Sequence, residues 1–311
     1  MRAQPDRPSG CRGVQRAALI VALGLLITCL LAVILPALLS LAGGDRINLM
    51  LLGVDRQEGT DWGSRTDSIM VFTLDPGTGA VGLLSIPRDL HLEIPSYGWD
   101  RINTANVYGY LQDYPGGGPG LLEATITANF GIPIDGYLMV NFQAFERIVD
   151  TLGGIDLYVP ESLHDTRYPN PRPEDPYGYK TVHFDPGWQH MDGQQALEYA
   201  RSRMSTSDFD RAKRQQQILL AIRERALSGG GILRWPLLAR AVMDEIKTDM
   251  SWGQLLGLAV RAMRIDTSNL RRVVLEYPLV EDYQRADGAA VQLPDWDLIN
   301  PVIEDLFGSP Y

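Results

Sequence analysis

Four arginines lie within the stretch Leu197–Gln217 (LEYARSRMSTSDFDRAKRQQQ): Arg201, Arg203, Arg211 and Arg214. The chain has only three lysines, so guanidinium groups carry nearly all of its positive charge. A guanidinium fork matches phosphate oxygens bidentately, which favours binding of an anion. The alternative is a solvated arginine face that forms weak surface ion pairs.

The spacing of the first two arginines depends on where a helix ends. Asp192 and Gln195 have the three-residue separation of a capping box, which predicts a helix start. The serine-rich run Ser202–Ser207 is expected to break this helix. If the break is extended, Arg201 and Arg203 project to the same side.

A second helix is expected to follow the break. Asp208 is the predicted N-cap, and Arg211, Arg214 and Gln215 then share one helix face at i, i+3 and i+4. The unpaired N–H groups of a helix N-terminus also favour an anion. A diphosphate would suit such a site.

A predicted hairpin supplies more charged residues. The apolar segments Ser68–Leu74 and Ala80–Ile86 flank the turn sequence DPGTG. In an antiparallel hairpin, the start of the first strand and the end of the second share an edge. That edge is expected to carry Arg65, Asp67, Arg88 and Asp89.

Asp55 follows another predicted buried strand, Ile47–Gly53. If this strand runs parallel to Ala80–Ile86, Asp55 joins the same edge as Asp67. Two carboxylates beside several arginines can hold a magnesium ion that neutralises phosphate oxygens, or one of them can act as a base. The alternative is that these aspartates are turn and cap residues.

The rest of the chain alternates predicted strands and helices, which indicates an α/β fold. The predicted helices are Arg101–Gln112, a helix from the glycine run at 116–120 to Asn129, Phe142–Leu152, Ile232–Met243 and Trp252–Met263. The predicted strands are Gly136–Asn141, Ile155–Val159 and Arg271–Tyr277. The proline-rich segment His164–Tyr179 is predicted to be a surface loop or lid.

The N-terminal part predicts a membrane anchor. Four arginines precede a segment without charge from Ala17 to Gly44. Its residues 17–42 would span about 39 Å as a helix at ~1.5 Å per residue. The basic side is expected to stay in the cytoplasm. The predicted organisation is a cytoplasmic tail (1–16), a transmembrane helix (17–43) and an extracytoplasmic domain (44–311). A cleaved signal peptide ending near residue 42 and a lipoprotein site at Cys29 are the alternatives.

Composition restricts the partners of the exterior part. The formal net charge is −10, and both cysteines precede residue 44. The exterior domain therefore has no disulfide, and nucleic acid is an unfavourable partner for so acidic a chain. The four histidines are too scattered for a zinc site.

Several sequence blocks resemble the LytR-CpsA-Psr proteins, which transfer glycopolymers to the cell wall. The resemblance runs from about Asn48 to at least Tyr277. The matching blocks are LLGVD (51–55), RTDSIM (65–70), SIPRD (85–89), RINTA (101–105), VDTLGGID (149–156), PGWQHMDGQQALEYARSR (186–203) and DFDRAKRQQ (208–216). Two positions depart from the family pattern. Asn106 stands where the family often has an aromatic residue, and Asp210 stands where it often has glycine.

The resemblance implies a central mixed sheet flanked by helices and a site for a polyprenyl diphosphate. The implied diphosphate contacts are Arg65, Arg88, Arg101, Arg201, Arg203, Arg211 and Gln215. Asp55 and Asp67 are implied at a metal ion, Mg²⁺ or Mn²⁺, and with Arg88 they form the implied catalytic set. The lipid chain is expected in an apolar pocket, for which the candidates are Val107, Leu111, Phe145 and Ile148.

The implied function is a membrane-anchored phosphotransferase at the outer face of the cytoplasmic membrane. It would move a glycopolymer from a polyprenyl diphosphate to a hydroxyl of peptidoglycan or a related wall glycan. Two alternatives remain open from sequence. One is a polyprenyl diphosphate hydrolase, and the other is a non-catalytic wall-binding or regulatory protein.

Overall fold

The computed structural model describes residues 46–54, 62–170, 175, 178–203, 206–235, 237–238, 246–265 and 269–308. A six-stranded mixed sheet, which we call the central sheet, lies in one of its two compact units. The strands in chain order are β1 (Ile47–Val54), β2 (Thr66–Leu74), β3 (Val81–Ile86), β4 (His91–Ile94), β5 (Gly98–Arg101), β6 (Gly136–Asn141), β7 (Ile155–Val159), β8 (Leu163–Pro169), β9 (Tyr179–Phe184), β10 (Gly187–Met191), β11 (Ile246–Thr248), β12 (Leu270–Val274), β13 (Val280–Gln284) and β14 (Ala290–Pro294).

The strand order of the central sheet is β11-β6-β1-β2-β3-β12. β2 is antiparallel to both β1 and β3, so β1 and β3 run in the same direction. The predicted hairpin is confirmed, with Leu74 opposite Val81 and Ile69 opposite Ile86. Hence the start of β2 and the ends of β1 and β3 lie at one edge.

Helices connect and flank the strands. They are α1 (Thr104–Leu111), α2 (Gly117–Phe130), α3 (Phe142–Thr151), α4 (Gly193–Arg201), α5 (Asp208–Leu227), the single turn α6 (Gly229–Ile232), α7 (Trp252–Arg264) and α8 (Trp296–Phe307). The strands β6 and β7 match their predicted bounds, and the α/β fold is confirmed. α7 belongs to a compact unit separate from the one that contains the sheet.

Two apolar clusters hold the sheet-containing unit together. The larger one joins the central strands to α1, α2 and α8, and includes Met50, Leu84 and Leu121. The second cluster joins the four strands β7, β8, β9 and β10 with α3, α4 and α5. Since Phe209 belongs to the first cluster and Ile218 to the second, α5 is anchored in both.

Two local predictions were wrong. The segment predicted as a surface loop contains most of β8, which pairs with β9. Leu163, Asp165 and Tyr168 of this strand are buried, and the residues between them are exposed. Residues 171–174 and 176–177 of this segment lie outside the described part. Arg101 does not open a helix but ends β5, and α1 begins at Thr104.

The predicted transmembrane helix and the cytoplasmic tail lie outside the described residues, as does half of the helix predicted over 232–243. Among the residues that the structure does describe, none of the helices combines the length and the apolarity needed to span a bilayer.

Candidate anion-binding site

The site is built around a hydrogen-bonded pair at the edge of the hairpin. Asp67 is the second residue of β2, and Arg88 comes two residues after β3. Nη1 of Arg88 donates to Oδ1 of Asp67 at 2.6 Å. The antiparallel pairing therefore brings these two predicted residues together, as the sequence indicated.

Polar contacts from α5 place its first turns over this edge. Buried Gln216 donates from Nε2 to Oγ of Ser85 and to the carbonyl of Val273, both at 2.9 Å. Oγ of Ser68 donates to Oε1 of Gln215 at 2.9 Å. These contacts hold α5 against β2, β3 and β12 and place Gln215 in the lining of the cleft at this edge.

Three arginines surround the carboxylate of Asp208, the first residue of α5. Its Oδ2 lies 3.6 Å from Nε of Arg88 and 3.6 Å from Nη2 of Arg211, and its Oδ1 lies 3.7 Å from Nη1 of Arg203. Nη2 of Arg211 also donates to the carbonyl of Asp67 at 3.4 Å. The guanidinium groups of Arg88, Arg203 and Arg211 thus lie around one carboxylate, that of Asp208.

Two of these arginines have buried N–H groups without a hydrogen-bond acceptor among the described residues. They are the Nε atoms of Arg88 and Arg211. Buried donors are nearly always paired, because an unpaired one loses its hydration without compensation. An anionic ligand at this point would supply the missing acceptors.

The electrostatics of the cluster differ from one arginine to the next. Burial lowers the pKa of Arg211, and the neighbouring charges of Arg88 and Arg203 lower it further, against an opposing effect of Asp208. Burial also lowers the pKa of Arg88, but the hydrogen bond and charge of Asp67, with the charges of Asp208 and Asp89, raise it overall. Guanidinium groups nonetheless stay protonated at neutral pH.

Asp89 links the cluster to Arg101. Its Oδ2 lies 3.4 Å from Nε of Arg88, and its Oδ1 lies 3.3 Å from Nε of Arg101. Nη2 of Arg101 donates to the carbonyl of Ala290 at 2.6 Å, and Nε donates to it at 3.1 Å. Arg101 therefore lies at the border of the site, with part of its donor capacity used by β14.

Arg201 contacts a different set of residues from Arg203. Its guanidinium carbon lies 3.9 Å above the ring centroid of Phe142, and Nη1 donates to the hydroxyl of Tyr168 at 3.3 Å. The expectation that both arginines project from one extended break fails, because Arg201 is still the last residue of α4.

Arg214 has a structural role. It is buried and donates from Nε to the carbonyl of Tyr199 at 3.0 Å, from Nη1 to Oγ1 of Thr206 at 3.1 Å, and from Nη2 to the carbonyl of Ser202. The prediction that it shares an anion-binding face with Arg211 was wrong. Its guanidinium group links α5 to the end of α4 and to the segment between the two helices.

Arg65 is exposed and immediately precedes β2. Its charge lies close enough to Tyr108 to lower the pKa of that hydroxyl, although the hydrogen bond to Asp100 and burial raise it overall. Asn106 donates to the carbonyls of Trp62 and Ser64 at 2.9 and 2.7 Å. The first departure from the family pattern thus anchors the loop that leads to Arg65.

Asp210, the other departure from the family pattern, is a capping residue of α5. Ser207 is the N-cap of α5, and Asp210 completes its capping box by accepting from N and Oγ of Ser207 at 3.0 and 2.8 Å. The prediction of Asp208 as the N-cap was therefore wrong by one residue. The shift turns Asp208 toward the arginine cluster and leaves the capping role to Ser207 and Asp210.

The residues suit a magnesium ion only in part. Asp67 has a partly exposed carboxylate, and one or two carboxylates with substrate phosphates are a usual Mg²⁺ ligand set. The second predicted ligand, Asp55, lies outside the described residues. Within the described part, no group of three or more acidic, histidine or cysteine side chains could hold a metal ion.

A narrow cleft opens between the hairpin edge and α5. It encloses about 30 Å³, a volume on the scale of one or two water molecules. Its lining includes Asp67, Arg88, Asp208, Arg211 and Gln215.

The residues predicted to line a lipid pocket are not in the lining of this cleft. Phe145 packs against the second core cluster, whereas Leu111 is 67% exposed. The lipid pocket stays a prediction.

Sequence reasoning missed the central role of Asp208 and the contribution of β14. The separation of Asp208 and Arg211, three residues apart on a helix, was a signal for the first of these. Nothing local indicated the second, because Ala290 is 189 residues from Arg101.

Residues 37–304 match the model of the LytR_cpsA_psr family. The chain belongs to the LytR-CpsA-Psr family. It is 32% identical over 213 residues to the polyisoprenyl-teichoic acid–peptidoglycan teichoic acid transferase TagU of Oceanobacillus iheyensis. That alignment covers 68% of this chain and 61% of the relative, so the chain spans about three fifths of the length of that relative.

Solved structures of this family share the fold. The crystal structure of TagV from Bacillus subtilis superimposes with a TM-score of 0.66 at 24% identity, covering 85% of this chain and 98% of that chain. TagT bound to LI-WTA gives a TM-score of 0.65 at 24% identity, covering 85% of this chain and 92% of that one. This family membership agrees with the resemblance identified from the sequence blocks.

Proposed function

We propose that this protein is a phosphotransferase that moves a glycopolymer from a polyprenyl diphosphate carrier to a hydroxyl of peptidoglycan or a related wall glycan. The convergence of Arg88, Arg203 and Arg211 on one point, with two buried N–H groups left for an outside acceptor, carries this proposal. The curated TagU relative supports the reaction class, since it is named as a transferase of teichoic acid from a polyisoprenyl carrier to peptidoglycan.

In this reaction the arginines bind the diphosphate and offset the charge that develops on it. The hydroxyl oxygen of the acceptor forms a new bond to the phosphorus next to the glycan, and the bond from that phosphorus to the bridging oxygen breaks. The polymer is then joined to the acceptor by a phosphodiester, and polyprenyl phosphate leaves. Catalysis rests mainly on positioning and electrostatic stabilisation.

Asp67 has one of two roles in this scheme, base or metal ligand. As a base it takes the proton of the acceptor hydroxyl. As a ligand it would help Asp55 and the substrate phosphates to hold Mg²⁺ or Mn²⁺. The metal would supply further neutralisation of the phosphate oxygens. In either role, the hydrogen bond from Arg88 fixes the carboxylate at the edge of the hairpin.

The working place of the enzyme follows from its substrate and from its N-terminal sequence. A polyprenyl carrier is embedded in a bilayer, and the uncharged segment after four arginines is long enough to cross one. We propose a single-pass anchor in the cytoplasmic membrane, with the domain after residue 44 outside. The proposed reaction involves no nucleic acid.

The test combines full-length protein in detergent with a lipid-linked oligosaccharide, Mg²⁺ and peptidoglycan fragments, and identifies the products by mass. A phosphodiester-linked conjugate of oligosaccharide and peptidoglycan is expected. Release of oligosaccharide phosphate without a conjugate would replace the transferase with a hydrolase. Absence of any product would favour a non-catalytic wall-binding protein.

Two variants localise the activity. Arg203→Ala removes an arginine of the cluster and should reduce product formation. Arg271→Ala is the matched control, because Arg271 is an exposed arginine that pairs with Asp305 outside the cleft. Equal activity of the two variants would argue against the arginine cluster as the active site.

A further inference from the structure

Asp208 occupies an unusual position for a carboxylate in a site that binds anions. It lies within 3.7 Å of guanidinium nitrogens from Arg88, Arg203 and Arg211, and it lines the cleft. A fixed negative charge at this point repels any phosphate that approaches the same three arginines.

The distances show what kind of contact Asp208 makes. Charge-assisted hydrogen bonds between guanidinium and carboxylate are usually about 2.7–2.9 Å long, whereas these three are 3.6–3.7 Å. The carboxylate neutralises the arginines without using their donors, and Nε of Arg88 and Nε of Arg211 lack an acceptor. By contrast, Asp67 binds Arg88 at 2.6 Å.

The cluster needs a counterion whenever no ligand is bound. Arg211 is 8% exposed, and the charges of Arg88 and Arg203 act on it unfavourably. Like charges close together repel strongly where solvent screening is weak. Asp208 offsets this repulsion, and the N-terminus of α5 favours its negative charge.

We propose that Asp208 is an internal counterion that holds the place of the substrate diphosphate and leaves when the diphosphate binds. This inference rests on the proposed function, because it names a positioning residue of the same site. The side chain of Asp208 is 35% exposed, so it can rotate toward solvent from the first turn of α5. Its departure would enlarge the cleft of about 30 Å³ that it lines.

The same exchange in reverse would assist release of the product. Once polyprenyl phosphate begins to leave, the carboxylate of Asp208 returns to the arginines and competes with rebinding. Asp208 thereby lowers the affinity of the site for free anions and keeps the arginines in place between turnovers.

Inorganic diphosphate is the direct probe, since its binding requires neither polymer transfer nor a lipid. Its affinity for the full-length protein is measured by calorimetry for the wild type, Asp208→Asn, Asp208→Ser and Asp208→Glu. The Asn and Ser variants should bind about tenfold more tightly, the effect of removing one partly screened like charge. Glu retains the charge and should stay close to the wild type. Two neutral variants guard against misfolding of either one.

Asp210→Asn is the matched control. It makes the same change of net charge two residues away in the first turn of α5, where the side chain accepts from N and Oγ of Ser207. Diphosphate affinity should change less than about twofold in this variant, because a partly exposed charge outside the cluster is screened by solvent. An equal gain in Asp210→Asn and Asp208→Asn would reduce the effect to general electrostatics and overturn the proposal.

Kinetics separate the counterion role from a purely structural one. In the transfer assay, Asp208→Asn should lower KM for the lipid-linked substrate and also lower kcat, because product leaves more slowly. Weaker diphosphate binding in both neutral variants would show that Asp208 orients the arginines while the ligand is bound, and would overturn the proposal. If diphosphate binds as expected but no transfer occurs, the counterion role stands and the proposed function falls. If neither the wild type nor the neutral variants bind diphosphate, both fall.

Discussion

Arg88 and Asp67 are joined by a hydrogen bond of 2.6 Å between Nη1 and Oδ1, although 21 residues separate them in the chain. The bond crosses the edge where β2 starts and β3 ends. One of the two is implied in binding the diphosphate, and the other in metal binding or proton transfer. Removal of either side chain therefore frees the other, whereas an isosteric amide in place of Asp67 still offers Oδ1 as an acceptor to Arg88.

Arg88→Ala should weaken both substrate binding and turnover, because its guanidinium contacts the diphosphate in the ground state and in the transition state. The expected loss is about 1.5–3 kcal/mol for one charged hydrogen bond. Arg88→Lys should recover only part of it, since an ammonium keeps the charge but lacks the fork. Steady-state transfer assays measure both effects. Full activity of the lysine variant would contradict bidentate binding.

Asp67→Asn should separate binding from chemistry. The amide keeps the size of the side chain and no longer repels the anionic lipid, so substrate should still bind. Transfer should fall about 10²-fold or more if Asp67 is the base or a metal ligand.

A magnesium titration of this variant tells the two roles apart. A lost ligand should be compensated partly at high Mg²⁺, whereas a lost base should not. Asp297→Asn, at an exposed position in the first turn of α8, is the control. Normal transfer by Asp67→Asn at every magnesium concentration would leave Asp67 only a structural role.

Arg214→Ala should destabilise the fold without a direct effect on anion binding. The substitution removes the buried donors to the carbonyls of Tyr199 and Ser202, and the expected cost is about 3 kcal/mol. Lys213→Ala is the control on the same helix, because its ion pair with Glu276 is exposed and is expected to contribute less than about 1 kcal/mol. Urea unfolding compares the two free energies. Equal midpoints would show that the break between α4 and α5 does not depend on Arg214.

The hydroxyl of Tyr108 and the carboxylate of Asp100 predict a pH-dependent contribution to stability. The hydroxyl donates to Oδ2 of Asp100 at 2.6 Å. Burial raises the pKa of Asp100, but the hydrogen bonds from Tyr108 and the N–H of Arg101, with the charge of Arg285, lower it overall below its ordinary value of 3.8. A carboxyl whose folded-state pKa is depressed stabilises the fold above its unfolded-state pKa, and this stabilisation is lost as the pH falls through the folded-state pKa.

Tyr108→Phe should therefore reduce the free energy of unfolding by about 1.5 kcal/mol at pH 7, and the difference from the wild type should shrink below pH 3.8. Urea midpoints at pH 7 and pH 3 measure this. Tyr283→Phe changes an exposed hydroxyl and serves as the control. A difference that is unchanged at pH 3 would exclude the ionised Asp100 as its source.

A reporter fused after Tyr311 should be active only outside the cytoplasmic membrane. Four arginines before the uncharged segment favour retention of the N-terminus inside. Paired reporters that work on opposite sides of the membrane give the orientation. Activity of the cytoplasmic reporter would contradict both the topology and the proposed access to wall acceptors.

Much of this molecule was determined by local sequence. The hairpin of β2 and β3 follows from two apolar segments and the turn between them, and β6 and β7 match their predicted bounds because alternation of buried and exposed side chains is a property of a few successive residues. The capping box of Asp192 and Gln195 is equally local. The proximity of Arg88 and Asp67 could be predicted from antiparallel geometry alone.

The assignment of each arginine was decided only by the tertiary structure. Arg211 and Arg214 share a helix, yet one faces the cleft and the other binds carbonyls at the end of α4. Asp208 becomes the centre of the cluster because Ser207 caps α5, and because Gln216 and Gln215 hold α5 to the sheet. The position of α5 over the hairpin depends on contacts between residues more than 100 positions apart, which the spacing of charges along one segment cannot specify.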